Sequence, residues 1–199
     1  MYRSLIIMMI AVVVPAYVQA DSADVKLLRQ ARSQIGIVAG ELQLRMARDV
    51  QEKGASEALA SCRLQVSGIT DRLTLHSGWE IRRTSFKTRN PENAPDSWER
   101  KILNLFARRQ AEGVDMQSFE FAQLVNFEGR RVFRYMQPII VQESCLSCHG
   151  QQLAEPVAAK ISGKYPDDKA AGYVAGELRG AFSLLKVLPG GPPAVLPAN

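Results

Sequence analysis

The sequence predicts an α+β domain in which helices pack on an antiparallel sheet. Two observations carry this prediction. Apolar residues recur with a helical period over the first third of the chain, and alternating segments dominate the remainder. Two of those segments are separated only by a short turn, which favours antiparallel pairing, and helices are largely segregated from strands.

Residues 1–20 stand apart from that fold. Met1-Tyr2-Arg3 is a short positive start, Leu5 to Val14 is an apolar run, and Val18-Gln19-Ala20 puts a small residue at a cleavage point. This is the layout of a secretory signal peptide. The run falls short of the roughly twenty apolar residues that span a bilayer, and no later stretch approaches that length. The expectation is a periplasmic or otherwise exported chain with no stable membrane span once the leader is cut. The folded domain is expected over 21–188 and a flexible tail over 189–199, where GGPPAVLPAN shows no core pattern.

Asp24 to Glu52 reads as a long amphipathic helix, with Leu28, Ala31, Ile35, Val38 and Leu42 at steps of three and four. Gly54 interrupts it. Ser56 is the expected cap of a second helix, with Glu57 in its first turn and Ala55, Leu59, Cys62, Val66 and Ile69 on one face. Trp79 to Lys87 alternates like a strand, Trp79, Ile81 and Arg83 sharing one side. Thr88 to Pro95 is a loop. Asp96, with Glu99 three residues on, carries the signature of a capping box for a third helix running to Gly113. Phe119 to Phe127 and Arg131 to Val141 read as a hairpin about Glu128-Gly129. Val157 to Tyr165 reads as a short helix, Pro166-Asp167-Asp168 as a turn, and Leu178 to Val187 as the last strand.

The formal net charge is +5, but basic residues such as Arg29, Arg32, Arg45, Arg48 and Arg82 are scattered among acids. Without a dense basic block there is no nucleic-acid footprint. A mild positive excess instead favours acidic protein partners by long-range steering.

The chemistry concentrates at Cys145-Leu146-Ser147-Cys148-His149, the attachment pattern of c-type haem. The chemistry explains the order. Each thiol adds across one porphyrin vinyl group, two intervening residues let both sulfurs reach one ring edge, and the next residue offers an imidazole to the iron. Gly150 is expected to let the backbone approach the ring. Export agrees, since that attachment is made outside the cytoplasm. Rival uses are a redox dithiol, which prefers the start of a helix in a βαβ unit, a zinc site using Cys62, Cys145, Cys148 and His149, and a plain disulfide. No βαβ unit precedes the motif, and adjacent Cys148 and His149 make an awkward chelating pair.

For a second axial ligand the residues alone leave four options open. They are Cys62, the only thiol outside the motif; Met136, mid-strand; His76, the only other histidine; and an empty position. Met46 and Met116 read as packing residues. Arg83 and Arg134, both expected to point inward, are the candidate partners of haem propionates. Tyr135 and Tyr165 are candidate donors, with core packing the blander role.

Several segments then occur together and in order: Arg83-Thr84-Ser85, Arg89-Asn90-Pro91, Ala94-Pro95-Asp96, Trp98-Glu99, Phe133-Arg134-Tyr135-Met136, the Cys-x-x-Cys-His motif, Tyr165-Pro166-Asp167-Asp168-Lys169-Ala170, and Gly176 to Ser183. Over residues 24–187 the chain resembles a family of single-haem c-type domains with a PAS-like fold. Such domains occur as free exported proteins and as external sensing parts of bacterial signalling proteins. The resemblance implies a five-stranded antiparallel sheet with N-terminal helices. It also implies an axial pair of the motif histidine with a cysteine from the helix before the sheet, a place matched here by Cys62. A thiolate favours ferric iron, so a low midpoint potential is expected, with a cysteine bond that weakens on reduction.

The function expected is a redox or small-ligand sensor carrying one haem c, with an unidentified redox or signalling partner. A periplasmic monohaem electron carrier is the alternative. A haem enzyme is not expected, since histidine is scarce and such a site needs a vacant position with a polar base. No output domain follows in the sequence, so the free exported form is expected, with a homodimer as the candidate assembly.

Overall fold

The computed structural model describes residues 22–189, with the side chains of all but residues 22, 23 and 60–67. The predicted leader (1–20) and nearly all of the predicted tail (189–199) lie outside these residues.

Helix α1 (Ser22–Lys53) and helix α2 (Ala55–Ser77) are joined by one residue, Gly54. Its φ of 79° and ψ of 160° are accessible to glycine and strained for any side chain. Gly54 is therefore itself the N-cap of α2. Ser56, the expected cap, instead donates from Oγ to the Pro156 carbonyl at 3.1 Å. The two helices form an antiparallel hairpin tied by Arg72 to Glu41 at 2.5 Å. Ala31, Ile35, Val38 and Leu42 are buried as their spacing predicts.

The strands are β1 (Glu80–Thr84), β2 (Phe121–Phe127), β3 (Arg130–Ile140) and β4 (Leu178–Val187), in the order β1-β4-β3-β2, all antiparallel. This corrects the expected count of five: among the described residues the sheet has four strands. The long crossing from β3 to β4 is occupied by the cysteine turn, a helix and an irregular strap, and contributes no further strand. The β2–β3 hairpin turns at Glu128 (φ 50°) and Gly129 (φ 72°). Two successive positive φ values make a turn whose twist matches that of the flanking strands.

The sheet is covered on both faces. Ile81, Phe133, Tyr135 and Leu184 project towards the α1–α2 hairpin and meet Ile35, Val38 and Ile69. Trp79 closes this core, edge-on to Phe133 at 6.0 Å. Met136 and Ala181 project the other way, against Ile102, Leu103 and Phe106 of helix α3 (Ser97–Ala111). The predicted capping box starts α3. The Asp96 carboxylate accepts from the Glu99 N–H at 2.7 Å, and Glu99 accepts from the Asp96 N–H at 3.0 Å.

One polar latch fastens α1 to the sheet. Arg32 makes a two-point ion pair with Glu120, and the buried Tyr135 hydroxyl donates to Glu120 at 2.6 Å. The Arg32 hydrogen bond holds the Glu120 carboxyl below its ordinary value of 4.5. A carboxyl with a depressed folded-state pKa contributes stability that is present above its unfolded pKa and is lost as pH falls through the folded one. Wild-type protein is therefore expected to lose more urea resistance than Glu120→Gln as pH falls from neutral to well below 4.5. Equal losses in parallel urea titrations would show that the latch contributes nothing.

Candidate functional site

The Cys-x-x-Cys-His segment lies at the end of β3. A single 3-10 turn (Glu143–Cys145) leads into a one-turn helix, α4 (Leu146–His149). Cys145 and Cys148 are free thiols, both half-buried. Gly150 ends the turn, its N–H donating to Leu146 O at 2.9 Å. A Cβ at Gly150 would stand 2.6 Å from that same carbonyl, so the glycine is required by the turn itself. Its expected role of admitting a ring close to the backbone is not needed to explain it.

His149 is oriented from outside its own helix. Its Nδ1 lies 2.6 Å from the carbonyl oxygen of Ala170. A carbonyl only accepts, so Nδ1 carries the proton and Nε2 is left as the free lone pair. Burial pushes the imidazole pKa down to about 3, aided by the positive charges of Arg179 and Arg89. The ring is thus neutral at physiological pH, the form that binds a metal ion.

The Ala170 acceptor is itself held. Arg89 donates to both oxygens of Asp168, at 3.0 and 3.1 Å, and also to the Cys148 carbonyl at 2.8 Å. Asp168 Oδ1 also accepts from the Ala170 N–H at 3.1 Å. The strap after Ala170 bonds back to the motif, Gly172 N to Gly150 O at 2.9 Å and Tyr173 N to His149 O at 3.0 Å. One part-buried ion pair therefore fixes the motif backbone and the carbonyl that orients its imidazole.

Helix α2 lies against α4 and against helix α5 (Glu155–Lys164). Leu59 of α2 packs with Val157 and Ile161 of α5, and Cys148 borders the same cluster. Cys62 occupies α2 one turn beyond Leu59; its side chain lies outside the described ones.

The other named candidates are placed elsewhere. His76 is exposed near the far end of α2, about 25 Å of helix beyond Leu59 at 1.5 Å per residue. Met136 is fully buried among Ile102, Leu103, Phe106 and Met116. Met46 is half-buried on α1. Tyr165 caps the C-terminus of α5, its N–H donating to Ile161 O at 2.7 Å. Arg83 is half-buried on β1, opposite Phe182 in register and so on the hairpin face. Arg134 projects from β3 on the α3 face, where Asp96 lies at 2.8 Å and Glu99 at 3.5 Å. The sheet thus separates the two arginines, and Arg134 has carboxylate partners within the protein.

Sequence reasoning missed Arg89, Asp168 and Ala170 as supports of His149, and Lys87 and Arg179 as nearby cations. Arg89 and Asp168 both stand in segments that carry the family resemblance, yet nothing local to either one signals the other.

Two free thiols and a neutral, singly oriented imidazole on one turn are the donor set that covalent haem attachment requires, and the residues present fit that group. Fold and site together define a class: an α+β domain with a helical hairpin on a four-stranded sheet and a Cys-x-x-Cys-His turn set against the hairpin. The chain belongs to the Tll0287-like family, whose pattern matches residues 9–185. Among solved structures it is similar to the crystal structure of the cyanobacterial heme-protein Tll0287. The TM-score is 0.62 at 27% identity, over 83% of this chain and 96% of that one. No curated protein matches the chain. Among the described residues no helix is long and apolar enough to cross a membrane.

Proposed function

We propose that this chain is an exported binding protein for one covalently attached haem c, working as a redox or small-ligand sensor. The observation that carries the reading is the His149 Nδ1 bond to Ala170 O, on the same turn as two free thiols. It leaves Nε2 as the one ring atom able to meet a metal, as in metal-ligating histidines generally. The similar cyanobacterial structure is that of a heme-protein. Haem supplies a one-electron iron couple and, at a vacated axial position, a site for a diatomic ligand.

The chain's own residues have separate tasks. Cys145 and Cys148 hold the porphyrin edge, and His149 supplies the proximal nitrogen. The Arg89–Asp168 pair keeps that nitrogen aimed. Cys62 is proposed as the second axial ligand, on the strength of its place in α2, the helix that lies against α4.

The test is maturation in a cell competent for c-type cytochrome assembly, with Cys62→Ala alongside. A coloured protein with one added porphyrin mass is expected. Its ferric electron paramagnetic resonance should be of thiolate-ligated low-spin type and lost in the variant, whose midpoint potential should rise. A colourless chain of unmodified mass ends the haem reading. An unchanged spectrum in Cys62→Ala ends the ligand assignment alone. A six-coordinate site that persists on reduction without carbon monoxide binding favours an electron carrier over a sensor.

A further inference from the structure

Three cations surround the strap that holds His149, and only Arg89 is in ion-pair contact with a carboxylate, whose charge Arg179 feels at longer range. Asp168 answers Arg89. Arg179 donates from Nη1 to Ser85 Oγ and to the Lys87 carbonyl, both at 2.9 Å, and both neutral acceptors. No carboxylate lies within 4.0 Å of Arg179 or of Lys87 among the described residues. Both cations address one buried ring. Lys87 Nζ is 4.1 Å from the Tyr173 ring centre, and the Arg179 guanidinium carbon is 5.3 Å from it. Tyr173 is in turn bonded through its N–H to the His149 carbonyl.

Lys87, Tyr173 and Arg179 line a cavity of about 300 Å³, together with Ser85 and Gln110. The Gln110 amide is already committed, to Gly176 O at 2.8 Å and from Leu178 N at 3.1 Å. The Glu177 carboxylate also lines the cavity and accepts from the Val174 N–H at 2.9 Å, so the cavity offers an entering group two positive charges beside one committed carboxylate. A half-buried guanidinium with no carboxylate in contact is costly, and its planar fork of donors matches the two oxygens of a carboxylate.

We propose that Lys87 and Arg179 form a carboxylate site beside His149, filled by a propionate of the haem bound there. This rests on the haem reading for its ligand but not for its cations. It places the propionate contact at residues other than Arg83 and Arg134. A free carboxylate has the same chemistry, so the test has two arms.

The matured protein is compared with Arg179→Gln, Arg179→Lys and the exposed-site variant Lys87→Gln. For a propionate, Arg179→Gln shifts the propionate bending band in resonance Raman spectra and lowers the midpoint potential. Arg179→Lys restores most of both, and added acetate leaves the wild-type Soret band unmoved. For a free carboxylate, acetate titrates the wild type by calorimetry and binds roughly tenfold more weakly to either glutamine variant, while potentials without acetate agree. The first result supports the whole proposal; the second keeps the site and overturns the propionate. Variants that match wild type in Raman spectrum, potential and acetate titration overturn both. Should the chain carry no porphyrin, the haem reading falls, and the acetate titration of the colourless protein still decides the site.

Discussion

Cys145→Ser/Cys148→Ser protein, matured beside wild type, is expected to lose the whole porphyrin mass under denaturing conditions. The reason is chemical: a serine hydroxyl does not form the thioether that a thiol forms with a vinyl group. Each single variant should retain one bond and show a red-shifted reduced α-band, because one vinyl group remains conjugated. His149→Ala makes the complementary change. Both sulfurs are still present, so the mass is retained while the low-spin spectrum is lost. Intact-protein mass spectrometry after acid–acetone extraction reads all four variants beside wild type. Porphyrin retained by the double variant after extraction would show that attachment runs through other residues. The double variant should still fold, because both thiols are only half-buried and a single 3-10 turn leads into α4.

The second large effect is on stability. Arg134 is 3% exposed and Glu99 is fully buried. The Arg134 guanidinium reaches Asp96 at 2.8 Å and Glu99 at 3.5 Å, and its carbon stands 4.2 Å from the Trp98 ring centre. Arg134→Ala leaves Glu99 inside the protein with Arg82 as its remaining cation, at 3.8 Å. Removing one member of a buried pair costs about 3–5 kcal/mol, a large part of the roughly 5–15 kcal/mol that holds a domain folded. A steep fall in the urea midpoint is expected. Arg134→Met combined with Glu99→Gln should recover much of the loss, since no fully buried charge then remains, Asp96 and Arg82 being about one-third exposed to water, and the amide oxygen still accepts from Asp96 N. A loss below about 1 kcal/mol in Arg134→Ala would mean that water reaches the pair.

What was legible in the sequence was local. The apolar period of Ala31, Ile35, Val38 and Leu42 marks α1 because a helix repeats its face every few residues. Asp96 and Glu99 announce the start of α3 because the capping bonds span one turn. Glu128-Gly129 marks the hairpin between two alternating runs. The Cys-x-x-Cys-His turn is legible for the same reason. The supports of that turn were not, because they are far apart in the chain. Arg89 and Asp168 are separated by 79 positions, and no period or cap links them. Arg134 was expected to need an anion. Its actual partners, on α3, could be found only by knowing which face of the sheet α3 covers. Ser56 misled because Ser is a good cap in general, whereas a one-residue connection with positive φ leaves that place to Gly54.

Helix α2 is a single unbroken rod that belongs to two hydrophobic centres. Its early residue Leu59 sits in the cluster bordering Cys148, and its later residue Ile69 sits under the sheet. The rod also leans on α1 along its length, with only Gly54 as a joint. Any ångström by which the cysteine turn pushes the near end must be absorbed at that joint or passed to the far end. The near end of that rod touches the turn that carries the thiols, and its later half is packed into the core beneath the sheet.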